Sequence, residues 1–531
     1  MPGVEPGAIV EYRWTQTEND NRFRYLKLHF QREFPVQKVT YFVKPLPREI
    51  VTEDQLFLMP LNSKPTPIQQ SSDGYSFTML DNVPASHDEP YAPSQANTEP
   101  WALLYYRKAS IRDGDKFWSD EGRNLYKDFK DLLKVNDDMK RLDFVEAASA
   151  AKTDDEKIAM LLAGLHKNVR NLFDSGVTTA ERQKFIEKLP RGRSRNAGEI
   201  WKSGMAMSNE MNVTFAALAS MAGLEARAAL VADRQEVGFN PKAMPDRFFL
   251  SDEAVAVKRG NEWRLLDASS QDLQPGMLTW EHEGVAALLS DPKTPTFVVS
   301  PMSTPESSTE KRVAHLKLSA DGTLEGDIDE TTSGHRAEEA RVLARARSAQ
   351  KEESLHDRLV RMFPEAEVTD LRIENYDNAA RPITIHYHLK APLYAGSTGK
   401  RLLFQPIPFQ RGISSIFSES DRKLPIEFPY AWKEIDEIHI QLPEGYTLDN
   451  AESPGSLTFG EPGGYVLTMA VTRDSRPELI TKREFTFGSG GHLLFPIQSY
   501  PSLKKVFDEV HLRDSHTLSL IQKTAAQKAG N

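Results

Sequence analysis

The run "WKSGMAMSNEMNVTFAALASMAGLEARAALVADR", residues 201 to 234, decides how this chain reads. A glycine-containing turn enters a segment in which Val213, Phe215, Leu218 and Met221 fall at helical spacing. Gly223 ends it, and the strand-like ARAALV follows. Hydrolases and acyl transferases commonly place a Cys or Ser at such a helix start, because unpaired N–H groups and the helix dipole stabilise a thiolate or an oxyanion there. The chain contains no cysteine. Ser208 is therefore the candidate nucleophile, with Ser203 just upstream and Thr214 already inside the helix. The same hydroxyl also suits a plain helix cap with Met211 at the third position, unless Asn209 or Asn212 caps instead.

A serine nucleophile needs a base. Between Met205 and Leu278 there is no histidine. His166, in the preceding helical stretch, reads as structural, and His282, in "WEHEG", lies in a polar loop with no spacing that ties it to Ser208. Asp252 precedes the strand "AVAV" and Asp267 closes the next one, "WRLLDAS". Two acids at adjacent strand ends either share a pocket as general acid and base or are simply solvated ends.

Outward from this stretch, 531 residues call for two to four domains. Net charge −10 gives no long-range attraction to nucleic acid or an anionic membrane. The basic cluster "RQKFIEKLPRGRSR", 182 to 195, reads as a solvated connector. Absence of cysteine excludes disulfides, thiolate metal sites and cysteine catalysis. No window approaches 18 apolar residues, so no transmembrane span is expected, and the start lacks the pattern of a signal peptide. "HYH" at 386 to 388 offers half a metal site without a third ligand, and "HDE" at 87 to 89 reads as a turn. "GSTGK" at 396 to 400 lacks the length and context of a phosphate loop. No metal, nucleotide or other cofactor is expected.

The pattern divides the chain into an N-terminal antiparallel β domain over 1–115, an α+β core over 116–300 and a mainly β C-terminal domain over 301–531. In the first, period-two alternation runs from about 8 to 44 around an "END" turn. In the second, Phe117, Trp118, Tyr126, Phe129 and Leu132 recur at helical spacing, and Thr153 with Glu156 forms a capping box. "AVAVKRGNEWRLLDAS" predicts two short strands around an Arg-Gly-Asn turn. The third opens with a hairpin turning at Ala-Asp-Gly, then a helical segment near 334–363, then strands.

Residues 204 to 234 and 250 to 278 resemble the core of the transglutaminase-like superfamily, which shares the papain-like cysteine proteinase fold. Active members carry a Gly-x-Cys helix start, "LLxxAGxxAR" and a strand, a His opening the next strand, and an Asp in "LLDAT". Here "FAALASMAGLEARAAL", "AVAVKRGNEWRLLDAS" and "LQPGML" stand in that order. By position the family's Cys corresponds to Ser208, its His most nearly to Asp252, and its Asp to Asp267. The resemblance thus implies a degenerate triad in which one position of three keeps its chemistry. "VEPGAIVEYRW", "REFPVQKVTYFV" and "RKLPIEFPYAWKEIDEIHIQLPEGYTLD" resemble the flanking β domains of a bacterial subgroup, many of whose members lack the triad. That implies an inactive binding or scaffolding module for protein, peptide or glycan. Amide hydrolysis or acyl transfer by Ser208, or by the acidic pair Asp252 and Asp267, is the alternative. The subgroup also implies a periplasmic or extracellular location if an export signal precedes the sequence, and a cytoplasmic one if the start is genuine.

Overall fold

The computed structural model describes residues 7–11, 25–51, 54–108, 114–174, 176–190, 192–250, 252–346, 359, 362–363, 365–450, 452–473 and 475–523. They form a multidomain α+β protein with two compact units, one of residues 1–86 and 99–112, the other of 87–98 and 113–531.

The first unit is β-rich. Tyr25–His29, Trp101–Lys108 and Asp54–Leu61 make one antiparallel sheet, and Val36–Val43, Ser76–Val83 and Gln69–Gln70 make another. Leu28, Phe30, Val83, Ala102 and Leu104 fill its core. Most of the alternation read over 8 to 24, with its "END" turn, lies outside the described residues.

In the second unit, helices Gly114–Leu132, Asp143–Ser149 and Asp154–Asn168 precede the helix Ser208–Met221. The capping box forms as the sequence predicts: the Glu156 N–H donates to Thr153 Oγ1 at 3.2 Å, and the Thr153 N–H donates to the Glu156 carboxylate at 3.1 Å. Every residue from Glu210 to Ala219 is buried, so Ser208–Met221 is a core helix rather than an amphipathic surface one. It packs with a five-stranded antiparallel sheet ordered 262–266, 252–259, 226–231, 286–289, 297–299. The two strands around Gly260 are those the sequence predicts. The sheet curls so far that residues of both edge strands, such as Trp263 and Val298, line one cavity of about 920 Å³.

The sequence misjudged the basic run 182 to 195. Thr179–Ile186 is a helix, and Arg195 is buried, its Nε 2.8 Å from Glu210 Oε1. Burial of a guanidinium demands a carboxylate partner, and Glu210 in the first turn of the core helix supplies it.

The rest of the second unit is built on an eight-stranded sheet ordered 367–374, 383–391, 324–332, 309–318, 432–441, 478–487, 463–471, 457–458. Its pairs are antiparallel except 309–318 with 432–441, which run parallel. The Ala-Asp-Gly hairpin is present, with Gly322 at φ +90°. The helix beyond it is described as Gly334–Ala346, and most of 347–363 falls outside the described residues. Tyr500–Asp514 and a four-stranded sheet complete the core. His386 and His388 each meet an aspartate on the next strand, Asp329 at 2.9 Å and Asp327 at 2.8 Å. Glu89 of "HDE" accepts the N–H groups of Lys423 and Leu424. "GSTGK" is part of a hairpin between 396–398 and 401–404. Among the described residues no helix is long and apolar enough to cross a membrane.

Candidate functional site

The three positions singled out by the sequence lie on elements that one asparagine ties together. Asn212, buried in the first turns of the core helix, donates to the Glu253 carbonyl at 2.8 Å and accepts the Ala268 N–H at 2.8 Å. The helix start is thereby held against the strand that Asp252 opens and the turn that follows Asp267. The adjacent ladder pairs Val255 with Leu266, which brings both acids to one end of the sheet.

Ser208 is the first helical residue, and the cap is Met207, one position earlier than a serine cap would require. The Met207 N–H is taken up at 2.8 Å by Glu210, the acid that Arg195 holds. This leaves the Ser208 hydroxyl without a capping role. Its Oγ accepts a hydrogen bond from Asn171 Nδ2 at 3.3 Å, and the same amide reaches the Ser269 carbonyl at 2.9 Å. Among the described residues no imidazole or carboxylate is hydrogen-bonded to Ser208.

Asp267 is engaged in a local turn, its carboxylate accepting the Ser269 N–H and hydroxyl, each at 2.8 Å. Asp252 meets His282 instead, Oδ2 lying 3.6 Å from Nε2. His282 looked unconnected in the sequence, yet the strand 286–289 that follows it pairs with 226–231, and 226–231 pairs with the strand opened by Asp252. An imidazole therefore stands beside Asp252, supplied by the short helical turn Trp280–His282 that precedes the strand 286–289. Thr279 Oγ1 lies 3.0 Å from its Nδ1. Burial works against the imidazolium, but the Asp252 carboxylate and the charges of Asp267 and Asp233 outweigh it and hold the pKa above the ordinary value. Asp233, just past the strand 226–231, is pushed up by burial and by Asp252, against the pull of the Gln235 N–H and His282. Asp233 was missed although it carries the signal that marked Asp267, an acid closing a strand. His166 is structural in position, its Nε2 2.9 Å from the Ala268 carbonyl oxygen.

The chain from 400 to 520 matches a family described as a domain of unknown function with solved structure, DUF3858. No curated protein matches the chain. A crystal structure of a provisionally assigned protease from Parabacteroides distasonis ATCC 8503 superposes over 94% of this chain and 75% of its own, at TM-score 0.50 and 14% identity. A second, of a provisionally assigned cysteine protease from Cytophaga hutchinsonii, covers 52% of this chain and 84% of its own at TM-score 0.18 and 11% identity. At 14% identity the likeness to the first structure is one of fold, and this chain has no cysteine to do thiol chemistry.

The roles of Asn212 and Ser208 separate in stability. Asn212→Ala strands a buried N–H and a buried carbonyl, and about 2 kcal/mol of unfolding free energy is expected to be lost. Ser208→Ala removes one long neutral bond and should cost under about 1 kcal/mol. Urea unfolding of both variants checks this, and equal costs would show that Ser208 holds the framework too.

Proposed function

We propose that this protein is a transglutaminase-like core without transglutaminase chemistry, acting as a binding module. The observation that carries it is the state of Ser208: its hydroxyl is bonded by the Asn171 amide, and among the described residues no imidazole or carboxylate shares a hydrogen bond with it. A serine without a base is a poor nucleophile at neutral pH. The helix and sheet around it are nonetheless fully packed, which is how a fold survives after its chemistry.

Peptide is the ligand class favoured over glycan. The cavity of about 920 Å³ lies between the two edge strands of the curled sheet, where unpaired backbone groups can add a strand and where Trp263, Met302 and Val298 offer apolar contacts. Neither this cavity nor one of about 470 Å³ beside Trp432 is lined by Ser208, Asp252 or Asp267. Binding there does not need the triad positions.

The test assays the protein and Ser208→Ala for amide hydrolysis and amine transfer on a mixed peptide library, and for capture on peptide and glycan arrays. No turnover by either is expected, with capture of peptides that weakens on Val299→Lys, a change at an exposed residue of the cavity rim. Turnover abolished in Ser208→Ala would overturn the proposal. It would favour the hydrolytic alternative, for which the imidazole of His282 beside Asp252 is the supporting observation. The family resemblance also supports a place outside the cytoplasm, which fractionation of the native host tests.

A further inference from the structure

We propose that Asp233, Asp252 and His282 form a binding site for a divalent transition-metal ion of the zinc type. This goes beyond the binding-module reading and does not rest on it.

One ligand atom from each of the three lies within 4.8 Å of the others. Ligands around a zinc ion sit about 2.0 to 2.2 Å from it, so small side-chain rotations close this set on one ion. The three are fixed by the backbone of adjacent strands. Asp252 pairs with Val231, two residues before Asp233, and Ala287 pairs with Val231 from the other side. The Arg234 N–H donates to the Glu281 carbonyl at 3.1 Å, which pins the turn carrying His282 to the one carrying Asp233. Ligands on a rigid frame lose little entropy on binding.

The imidazole is presented as metal ligands usually are. Thr279 Oγ1 lies against Nδ1 and orients the ring with Nε2 toward the carboxylates. Charge favours a cation as well, since one imidazole stands among Asp233, Asp252 and Asp267. Arg234, next in sequence to Asp233, lies over the Trp280 ring at 4.9 Å, with Glu427 3.9 Å from its Nε. One nitrogen and two oxygen ligands suit zinc or manganese better than calcium or magnesium. Asp252 is 43% exposed, which leaves coordination positions open to water or to a ligand donor.

A second cluster, His315, His439 and Glu478, is the competitor. It lies on the outer face of the eight-stranded sheet, and its His439 already meets Glu478 at 3.3 Å and Glu437 at 3.5 Å, one on each nitrogen. With a carboxylate already on each nitrogen, His439 has no ring nitrogen left for an ion without breaking one of these pairs.

The test is calorimetric titration of the tag-free, chelator-treated full chain with zinc, and with magnesium and calcium in parallel. One zinc per chain is expected, with affinity at least tenfold weaker in Asp252→Asn and in His282→Gln and unchanged in His439→Gln. Asp252 is partly exposed, so Asp252→Asn keeps the fold, and circular dichroism confirms it. The proposal is overturned by absence of stoichiometric zinc binding. Loss of the site in His439→Gln, indifference to Asp252→Asn, or binding of magnesium and calcium as tight as zinc overturns it equally.

Discussion

Arg483→Met is expected to lower the unfolding free energy of the larger unit by about 3 to 5 kcal/mol, the cost of leaving buried charge without its partner. Arg483 is almost wholly buried and holds Asp514 with two parallel bonds, Nε to Oδ1 at 2.7 Å and Nη2 to Oδ2 at 2.8 Å. Its remaining nitrogen reaches Glu434 at 2.9 Å and Asp436 at 3.2 Å. Arg312 and Arg336 hold the same acids from the other side. The variant strips one cation from this cluster beneath the Trp432 cavity. Burial opposes ionisation of Glu434, but Arg483, Arg336 and Arg312 outweigh it and bring its pKa down to about 2. Glu434 therefore contributes stability that is complete above the unfolded value of 4.5 and is lost as pH falls toward 2. Urea unfolding monitored by tryptophan fluorescence reads the effect. Arg483→Met combined with Asp514→Leu should recover part of the loss, because the buried carboxylate goes with its cation. A single variant as stable as the parent would show that the cluster is hydrated rather than dry.

The second large effect concerns alkaline pH. His335 is fully buried in the first turn of Gly334–Ala346, with Nε2 3.0 Å from Glu283 Oε1 and Nδ1 3.2 Å from Glu338 Oε2. Two carboxylates on two ring nitrogens require two N–H donors, which only the imidazolium provides. Burial disfavours that charge, yet Glu283 and Glu338 outweigh burial and raise the pKa to about 9 from 6.5. A group whose pKa is higher when folded contributes fully below its unfolded value, so the contribution is complete below pH 6.5 and lost as pH climbs through about 9. The shift corresponds to about 3 kcal/mol. His282 and His388 are also shifted upward, so the difference between the parent and His335→Gln isolates this residue. The parent should lose stability between pH 6.5 and 9, and His335→Gln should be weaker at pH 6 with a flatter profile. Parallel profiles would show that His335 is neutral in the fold. Because Glu283 adjoins His282, this ion cluster also braces the turn that carries the candidate metal ligand.

Much of the fold is legible without coordinates. Thr153 and Glu156 announce a helix start, Gly260 and Gly322 announce hairpin turns, and the apolar spacing from Val213 to Met221 announces the core helix. These are signals between residues a few positions apart, and backbone geometry alone gives them meaning. The missing cysteine is likewise a property of the sequence, and it settles the absence of thiol chemistry before any fold is known.

What local pattern cannot carry is which distant charges meet. Arg195 reads as part of a solvated basic run, and only packing beneath the core helix shows that Glu210 buries it. Nothing local to Arg483 or Asp514 shows that they meet, and the parallel pairing of 309–318 with 432–441 that helps assemble their cluster has no local signature. Asp233, Asp252 and His282 follow no ligand spacing, because their proximity comes from the order of strands in the sheet and not from their order in the chain. The sequence by itself determined the framework and the absence of a thiol, since composition and helix and strand periods are written locally. Tertiary structure decided which polar groups converge, since burial and strand order bring together side chains that the chain keeps far apart.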